Sequence, residues 1–352
     1  MRKISGLDYH RPLTETLREF FDDIDTKLPP LSQKGQWALN TLKEYSLRPS
    51  KRIRGSIAAM IVDSARGVKN DPAGLRLGAA IELIQNHLLI IDDVMDGSTM
   101  RRGLATAHVA YEQDFPYSHG RESEMVGILI GMMAKHLSSL LLLGSAGTSN
   151  NNQAALAILE RSTIITDLGQ IDDLDQQLGR EISTDTLLKK YAQKSSYYTF
   201  VAPIEAALAL VHGAQPQHRQ DAESYGLPAG IAFQLRDDYL GIYGEINKTG
   251  KPNLDDVHEG KYTLMIHLAL QSADTATEKA IRSIVGNRSA TVKELYELRR
   301  LLNSTGAKDG ALKEGEQYAM QAKKSAHTAV SWGSEEAGIL ESIINFAMER
   351  EN

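Results

Sequence analysis

Apolar residues along this chain recur every three or four positions, and clear alternation of apolar and polar residues is hard to find. That periodicity belongs to helices packed on one another and leaves little room for a sheet. Composition agrees: Ala, Leu, Glu, Gln and Lys abound, while aromatic residues make up only 6%. Breaks in the pattern fall at Leu28–Ser32, Arg66–Pro72, Asp114–Glu122, Ser145–Gln153, Gly213–Pro216, Gly244–Asp255 and Ser304–Gly310. The segments between them are long enough for a bundle. No Gly/Ser-rich or Pro-rich linker divides the chain. The expectation is one all-α domain over residues 1–352, with the helices of 1–45 and 275–352 packing on its core.

The stretch Ile81 to Gly103 carries the densest chemistry. Ile84, Leu88 and Ile91 mark a helix, and Asp92 and Asp96 then stand one turn apart on one face, with Asp93 beside the first. Clustered carboxylates repel each other unless a cation lies between them. Hard oxygen ligands suit Mg²⁺, which keeps several waters and shares its shell with substrate phosphates. Arg101 and Arg102 follow, with guanidinium forks suited to phosphate. The combination suggests a site that handles a diphosphate. A lone pair of this kind is ordinarily a solvated helix end, so the reading depends on a second such site.

Composition narrows the field. The net charge of −6 shows no basic excess, which argues against nucleic acid as a partner. The absence of cysteine excludes disulfides, thiolate metal sites and cysteine nucleophiles, and fits a reducing compartment. The start, MRKISGLDYHRPL, lacks the apolar run of a signal peptide, so a cytoplasmic location is expected. Val126 to Gly144 contains Lys135, His136, Ser138 and Ser139, too polar for an easy membrane span, and reads as a buried core helix. No integral membrane segment is expected.

The second acidic site is Phe233-Gln234-Leu235-Arg236-Asp237-Asp238, followed by Tyr239-Leu240-Gly241. Thr249-Gly250-Lys251-Pro252, Asp255-Asp256 and Glu259-Gly260-Lys261 come next, so each acidic helix end precedes phosphate-suited cations. Upstream, Lys51, Arg52 and Arg54 cluster before an apolar helix from Ile57 to Ala65, with Lys51 and Arg54 spaced to clamp one anion. Gln170 and Asp173 form a polar stripe in DLGQIDDLD, and Lys194-Ser195 opens a hydroxyl and aromatic run. No Walker-type phosphate loop and no GxGxxG after a strand is present.

With these stations in this order, the chain resembles the trans-isoprenyl diphosphate synthases of the polyprenyl synthetase family, of the geranylgeranyl and farnesyl kind. The likeness covers roughly Lys51 to Leu270 through six spaced motifs. It implies an isoprenoid synthase-type helical bundle around a central cavity, usually a homodimer. It also implies a reaction in which isopentenyl diphosphate adds to an allylic diphosphate (dimethylallyl, geranyl or farnesyl) and pyrophosphate leaves. By the same resemblance, Asp92, Asp96 and Asp237 hold metal, with Asp93 and Asp238 supporting the shell. The metal is Mg²⁺, three ions per active site, with Mn²⁺ as a substitute. Arg101 contacts the allylic diphosphate; Lys51, Arg54, Gln85 and Arg102 clamp isopentenyl diphosphate. Lys194, Lys251 and Lys261 neutralise the leaving diphosphate, while Ser195 and Gln234 steady the developing cation.

Departures from the pattern are Gly241, where the second motif ends in a carboxylate, Ser50 before Lys51, Ser195 in place of Thr, and Met132 after Gly131. The family sets product length by bulk one or two turns before the first acidic motif. Here Ile84, His87 and Leu88 are bulky and none is aromatic, which favours a C20 product, with C15 the alternative and a longer polyprenyl product the third choice. Two rival readings remain. A non-catalytic partner subunit rests on Gly241, and a class I terpene cyclase would not need Lys51, Arg54, Gln85 and Arg102.

Overall fold

The computed structural model describes residues 4, 7–118, 120–144, 150–175, 182–244 and 254–350. Its contacts divide the chain into two compact units, Met1–Glu160 with Ala202–His218, and Arg161–Val201 with Arg219–Asn352.

The first unit begins with α1 (His10–Lys27), which buries Leu13, Leu17, Phe21 and Ile24 along one stripe. Pro29 and Pro30 end it, and Ser32 caps α2 (Gln33–Leu47) by accepting from the Gly35 amide at 3.1 Å. Next come α3 (Ile53–Arg66) and α4 (Pro72–Met95), the latter started by Asp71 as cap and Pro72 in the first turn. Both are apolar nearly all round, and α3 packs against α4 and α9 (Ala202–His212). Gly55 and Gly78 allow the closest approach. A β-carbon on either would lie 2.6 Å from the other's carbonyl oxygen, so these helices meet backbone to backbone. After α4, a small antiparallel ribbon pairs β1 (Met100–Arg101) with β2 (Leu104–Ala105). Strands this short leave no periodic trace in a sequence. Then follow α5 (Ala107–Asp114) and α6 (Arg121–Leu143), which packs along α4.

The helix α6 is not the buried core helix expected from its composition. Met125, Leu129, Met132 and Leu140 are exposed on it. Both α4 and α6 are long and apolar enough to cross a membrane by length and composition; α4 is mostly buried in the protein and α6 less than half.

In the second unit, α7 (Asn150–Asp175) contributes its C-terminal part from Arg161 onward. A Ser183-capped α8 (Thr184–Tyr191) runs directly into a π-helical segment, Ala192–Val201. The long α10 (Pro216–Tyr243) contains Pro228 without breaking. Further helices span Asp255–Glu259, Leu264–Ser272, Thr275–Ile284, Val292–Ser304, Ala307–Thr328 and Ser334–Glu349. Leu187, Tyr191, Leu235, Ile242, Val257, Leu264, Leu298 and Leu302 share one core here.

Candidate active site

In the first unit, α4 stays apolar up to Ile91 and then presents three carboxylates at its C-terminal end. Backbone rotation sends them different ways. The Asp92 side chain keeps 28% of its surface and Asp96 is half-buried, whereas the Asp93 side chain is 1% exposed. Both Asp93 oxygens are engaged. Oδ1 accepts from Arg101, whose Nε lies 2.7 Å away, and Oδ2 accepts from the Tyr45 hydroxyl at 3.2 Å. Burial works against the Arg101 charge, but Asp93 outweighs it and holds the guanidinium above its ordinary pKa. Asp93 thus anchors Arg101.

Arg101 pairs with Leu104 in the ribbon, and the two-residue turn between them puts Arg102 and Gly103 at positive φ (56° and 78°). Left-handed backbone is unusual for arginine, and such residues persist where surrounding contacts hold them. Arg48 supplies those contacts, donating to the carbonyls of Arg101 (3.2 Å) and Ala105 (2.9 Å). It lies over the Tyr45 ring and also bonds Glu44. Sequence reading passed over both Tyr45 and Arg48.

The basic cluster before α3 divides in the same way. Arg52 is buried at φ 46°, donating to Thr14 Oγ1 at 3.0 Å and to the Ser46 carbonyl at 2.9 Å, with Glu82 3.7 Å away. Lys51 is exposed and Arg54 half-buried. The helix begins at Ile53, so helical spacing does not govern Lys51. On α4, Gln85 and Leu88 are half-buried and Ile84 is buried. His87 is also buried, its Nδ1 donating to the Gly131 carbonyl at 3.0 Å. Burial lowers its pKa despite that bond, keeping the ring neutral.

In the second unit, Asp173 joins two lysines, accepting from Lys190 at 2.8 Å and from Lys194. Burial opposes its charge, yet Lys194 and then Lys190 prevail and bring it down to about 2. Lys194 and Ser195 stand in the π-helical segment, whose wider turns re-aim side chains relative to an α-helix. Ser195 Oγ donates to Gln234 Oε1 at 2.6 Å, and Gln234 Nε2 donates to Asp238 Oδ1 at 2.9 Å. The other Asp238 oxygen accepts from the Tyr191 hydroxyl. Asp238 is therefore buried and engaged like Asp93. Burial raises it to about 6, offset by the bonds from Tyr191 and Gln234 and aided by the nearby Asp256 and Asp237 charges.

Asp237 is the outward member of its pair, its side chain 56% exposed. Its Oδ1 accepts from Arg350 at 2.8 Å, and that guanidinium lies over the Phe233 ring, 4.1 Å from the centroid. No feature of the sequence pointed to Arg350. Lys261 is half-buried and donates to Asp256 at 2.7 Å. Lys251, with Thr249 to Pro252, lies outside the described residues.

Among the described residues, no three or more His, Asp or Glu side chains gather as a self-sufficient metal cage. The donor set nonetheless fits Mg²⁺, which is held by one or two carboxylates, waters and substrate phosphates. Asp92 with Asp96 meets that requirement at one helix end, and Asp237 faces outward at the other.

The polyprenyl synthetase family model matches residues 36–302. A short chain isoprenyl diphosphate synthase from Methanothermobacter thermautotrophicus is 30% identical over 304 residues, covering 86% of this chain and 87% of that protein. A geranylgeranyl diphosphate synthase from Sulfolobus acidocaldarius is 30% identical over 245 residues, 70% of each chain. Among solved structures, a geranylgeranyl pyrophosphate synthase from Corynebacterium glutamicum, complexed with isoprenyl diphosphate and magnesium, has a TM-score of 0.86 at 28% identity. That likeness covers 98% of this chain and 99% of that one.

Proposed function

The chain belongs to the polyprenyl synthetase family, has its all-α isoprenoid synthase fold and is a trans-prenyltransferase, and on that premise we propose a specific reaction: addition of isopentenyl diphosphate to an allylic diphosphate, stopping at the C20 geranylgeranyl product. C15 is the alternative stop. The observation that carries this reading is the division within each acidic pair. Asp92 and Asp237 keep exposed surface, while Asp93 and Asp238 turn inward and fix neighbouring groups.

Asp92, Asp96 and Asp237 hold Mg²⁺, three ions in all, with Mn²⁺ as a substitute. When bound, the metal supplies positive charge that stabilises departing pyrophosphate. The residues of the chain do the rest. Arg101, braced by Asp93, grips the allylic diphosphate, and Lys194, Lys251 and Lys261 balance the charge that builds as the allylic C–O bond breaks. Gln234 gives its amide N–H to Asp238, so its carbonyl oxygen and Ser195 are the dipoles offered to the allylic cation. Lys51, Arg54, Gln85 and Arg102 hold isopentenyl diphosphate in register for attack by its double bond. The new C–C bond leaves a tertiary cation, whose neighbouring proton passes to pyrophosphate as the product double bond forms. Ile84, His87 and Leu88 form the floor against which the chain stops growing.

The exposed Met125, Leu129, Met132 and Leu140 of α6 support a homodimer, with a second copy covering this face. A cytoplasmic location fits the cysteine-free composition.

The test is incubation of purified protein and Mg²⁺ with labelled isopentenyl diphosphate and, separately, dimethylallyl, geranyl and farnesyl diphosphates. Elongation that stops at C20 is expected. No consumption with any primer, from folded protein, would overturn the reading in favour of a non-catalytic partner subunit.

A further inference from the structure

Asp173, on the polar stripe of α7, has no part in the reaction above, yet it is half-buried while its neighbours Asp172 and Leu174 are exposed. Two lysines share it. Lys190 donates to Oδ1 at 2.8 Å, and Lys194 donates to Oδ2. The two differ in reach: the Lys194 side chain keeps 26% of its surface and that of Lys190 only 4%. Lys189, next to Lys190 near the end of α8, is by contrast exposed and pairs with Asp185. Burying an ammonium group is costly unless it is paired, so Lys190 depends on Asp173. Two ammonium groups on one carboxylate leave the cluster with one positive charge in excess.

The backbone fixes where that excess sits. A β-carbon on Gly169, one turn before Asp173, would lie 2.6 Å from the Lys194 amide nitrogen, so α7 and the π-helical segment meet backbone to backbone there. The cluster also adjoins the second acidic pair. Burial pushes the Tyr191 hydroxyl up, Asp238 adds to the rise and the Asp173 charge adds again, and it is Tyr191 that donates to Asp238.

We propose that Lys190 is a positioning residue for the diphosphate: by neutralising Asp173 from the buried side, it makes the charge of Lys194 available to pyrophosphate. This rests on the synthase reading above, which gives Lys194 to the diphosphate, and deepens it. Without Lys190, Asp173 and Lys194 would form a closed neutral pair. Pyrophosphate would have to draw Lys194 away from that pair and leave a half-buried carboxylate without its counter-ion. With Lys190 in place, Lys194 turns to the ligand while Asp173 keeps a partner.

The test is calorimetric binding of inorganic pyrophosphate in saturating Mg²⁺, with melting curves on every variant to verify folding. Lys190→Gln keeps a donor for Asp173 and removes the charge, and it should weaken binding by about tenfold. Lys190→Met takes its place if the glutamine variant does not fold. Adding Asp173→Asn to whichever variant is used should restore binding to within about threefold of the unaltered protein, because Asp173 no longer holds Lys194 back. A merely structural role for Lys190 predicts the opposite, since the second change would compound the first. Unchanged binding on removal of the Lys190 charge, or a double variant no tighter than the single one, would overturn the proposal. Failure of the unaltered protein to bind pyrophosphate with Mg²⁺ would overturn the synthase reading itself, and the proposal with it.

Discussion

Tyr191 donates its hydroxyl to Asp238 and, on the same oxygen, accepts the Leu264 amide at 2.9 Å. Tyr45 likewise donates its hydroxyl to Asp93 in the other unit. In each acidic pair the second carboxylate is thus a buried structural acceptor, and the first keeps exposed surface.

The two kinds of carboxylate should separate under mutation. Asp93→Ala leaves Arg101 without its buried partner and should destabilise the fold by about 3–5 kcal/mol along with loss of turnover. Asp92→Ala should abolish turnover while stability stays within about 0.5 kcal/mol of the parent. Urea unfolding and steady-state turnover on both variants decide it. Equal stability of the two would mean that Asp93 is not the anchor of Arg101.

Acid should attack Asp173 early. Its folded pKa of about 2 lies below the ordinary 3.8, so the folded state binds this proton more weakly than the unfolded chain. The resulting stability is fully present above pH 3.8 and is lost as pH falls through 3.8 towards 2. The gap corresponds to about 2 kcal/mol. Asp173→Asn should remove that amount at pH 7 and flatten this acid limb, as read from unfolding free energies at pH 7 and pH 3. Matching limbs in the two proteins would refute the lysine pairing as the cause.

Kinetics should distinguish the two diphosphates. Lys51→Ala and Arg54→Ala each remove a charge-assisted contact of about 1.5–3 kcal/mol, equivalent to about a tenfold or greater rise in KM for isopentenyl diphosphate. The KM for the allylic primer should move far less. An equal rise for both substrates would contradict the assignment.

Product length should respond to Leu88 more cleanly than to His87. The His87 ring is tied to the Gly131 carbonyl and buried, so truncating it disturbs the α4–α6 packing as well as the floor. Leu88 is half-buried, and Leu88→Ala should lengthen the products seen by chromatography without lowering the melting temperature much. Unchanged products from the double Ala variant would place the floor elsewhere.

Much of this molecule was legible in the chain because its signals are local. Pro29-Pro30 and Asp71-Pro72 end and start helices by backbone chemistry alone, and Asp92 with Asp96 share a face by helix geometry. What escaped was set by distant parts of the chain. Nothing near Asp93 announces Tyr45, nothing near Asp237 announces Arg350, and the two lysines that meet on Asp173 come from beyond the next helix start. The Lys51–Arg54 spacing is not a helical one, because the left-handed turn at Arg52 precedes the helix.

The π-helical segment from Ala192 to Val201 makes the chain sensitive to a change of length there. A wider turn arises from one extra residue within an α-helix, so a one-residue deletion there would restore ordinary winding. It would also rotate everything upstream by about 100° relative to Phe200 and Val201. Lys194 would swing away from Asp173, and Ser195 away from Gln234. A substitution here alters one side chain, whereas a change of length moves both contacts at once, so the winding of the helix holds them together.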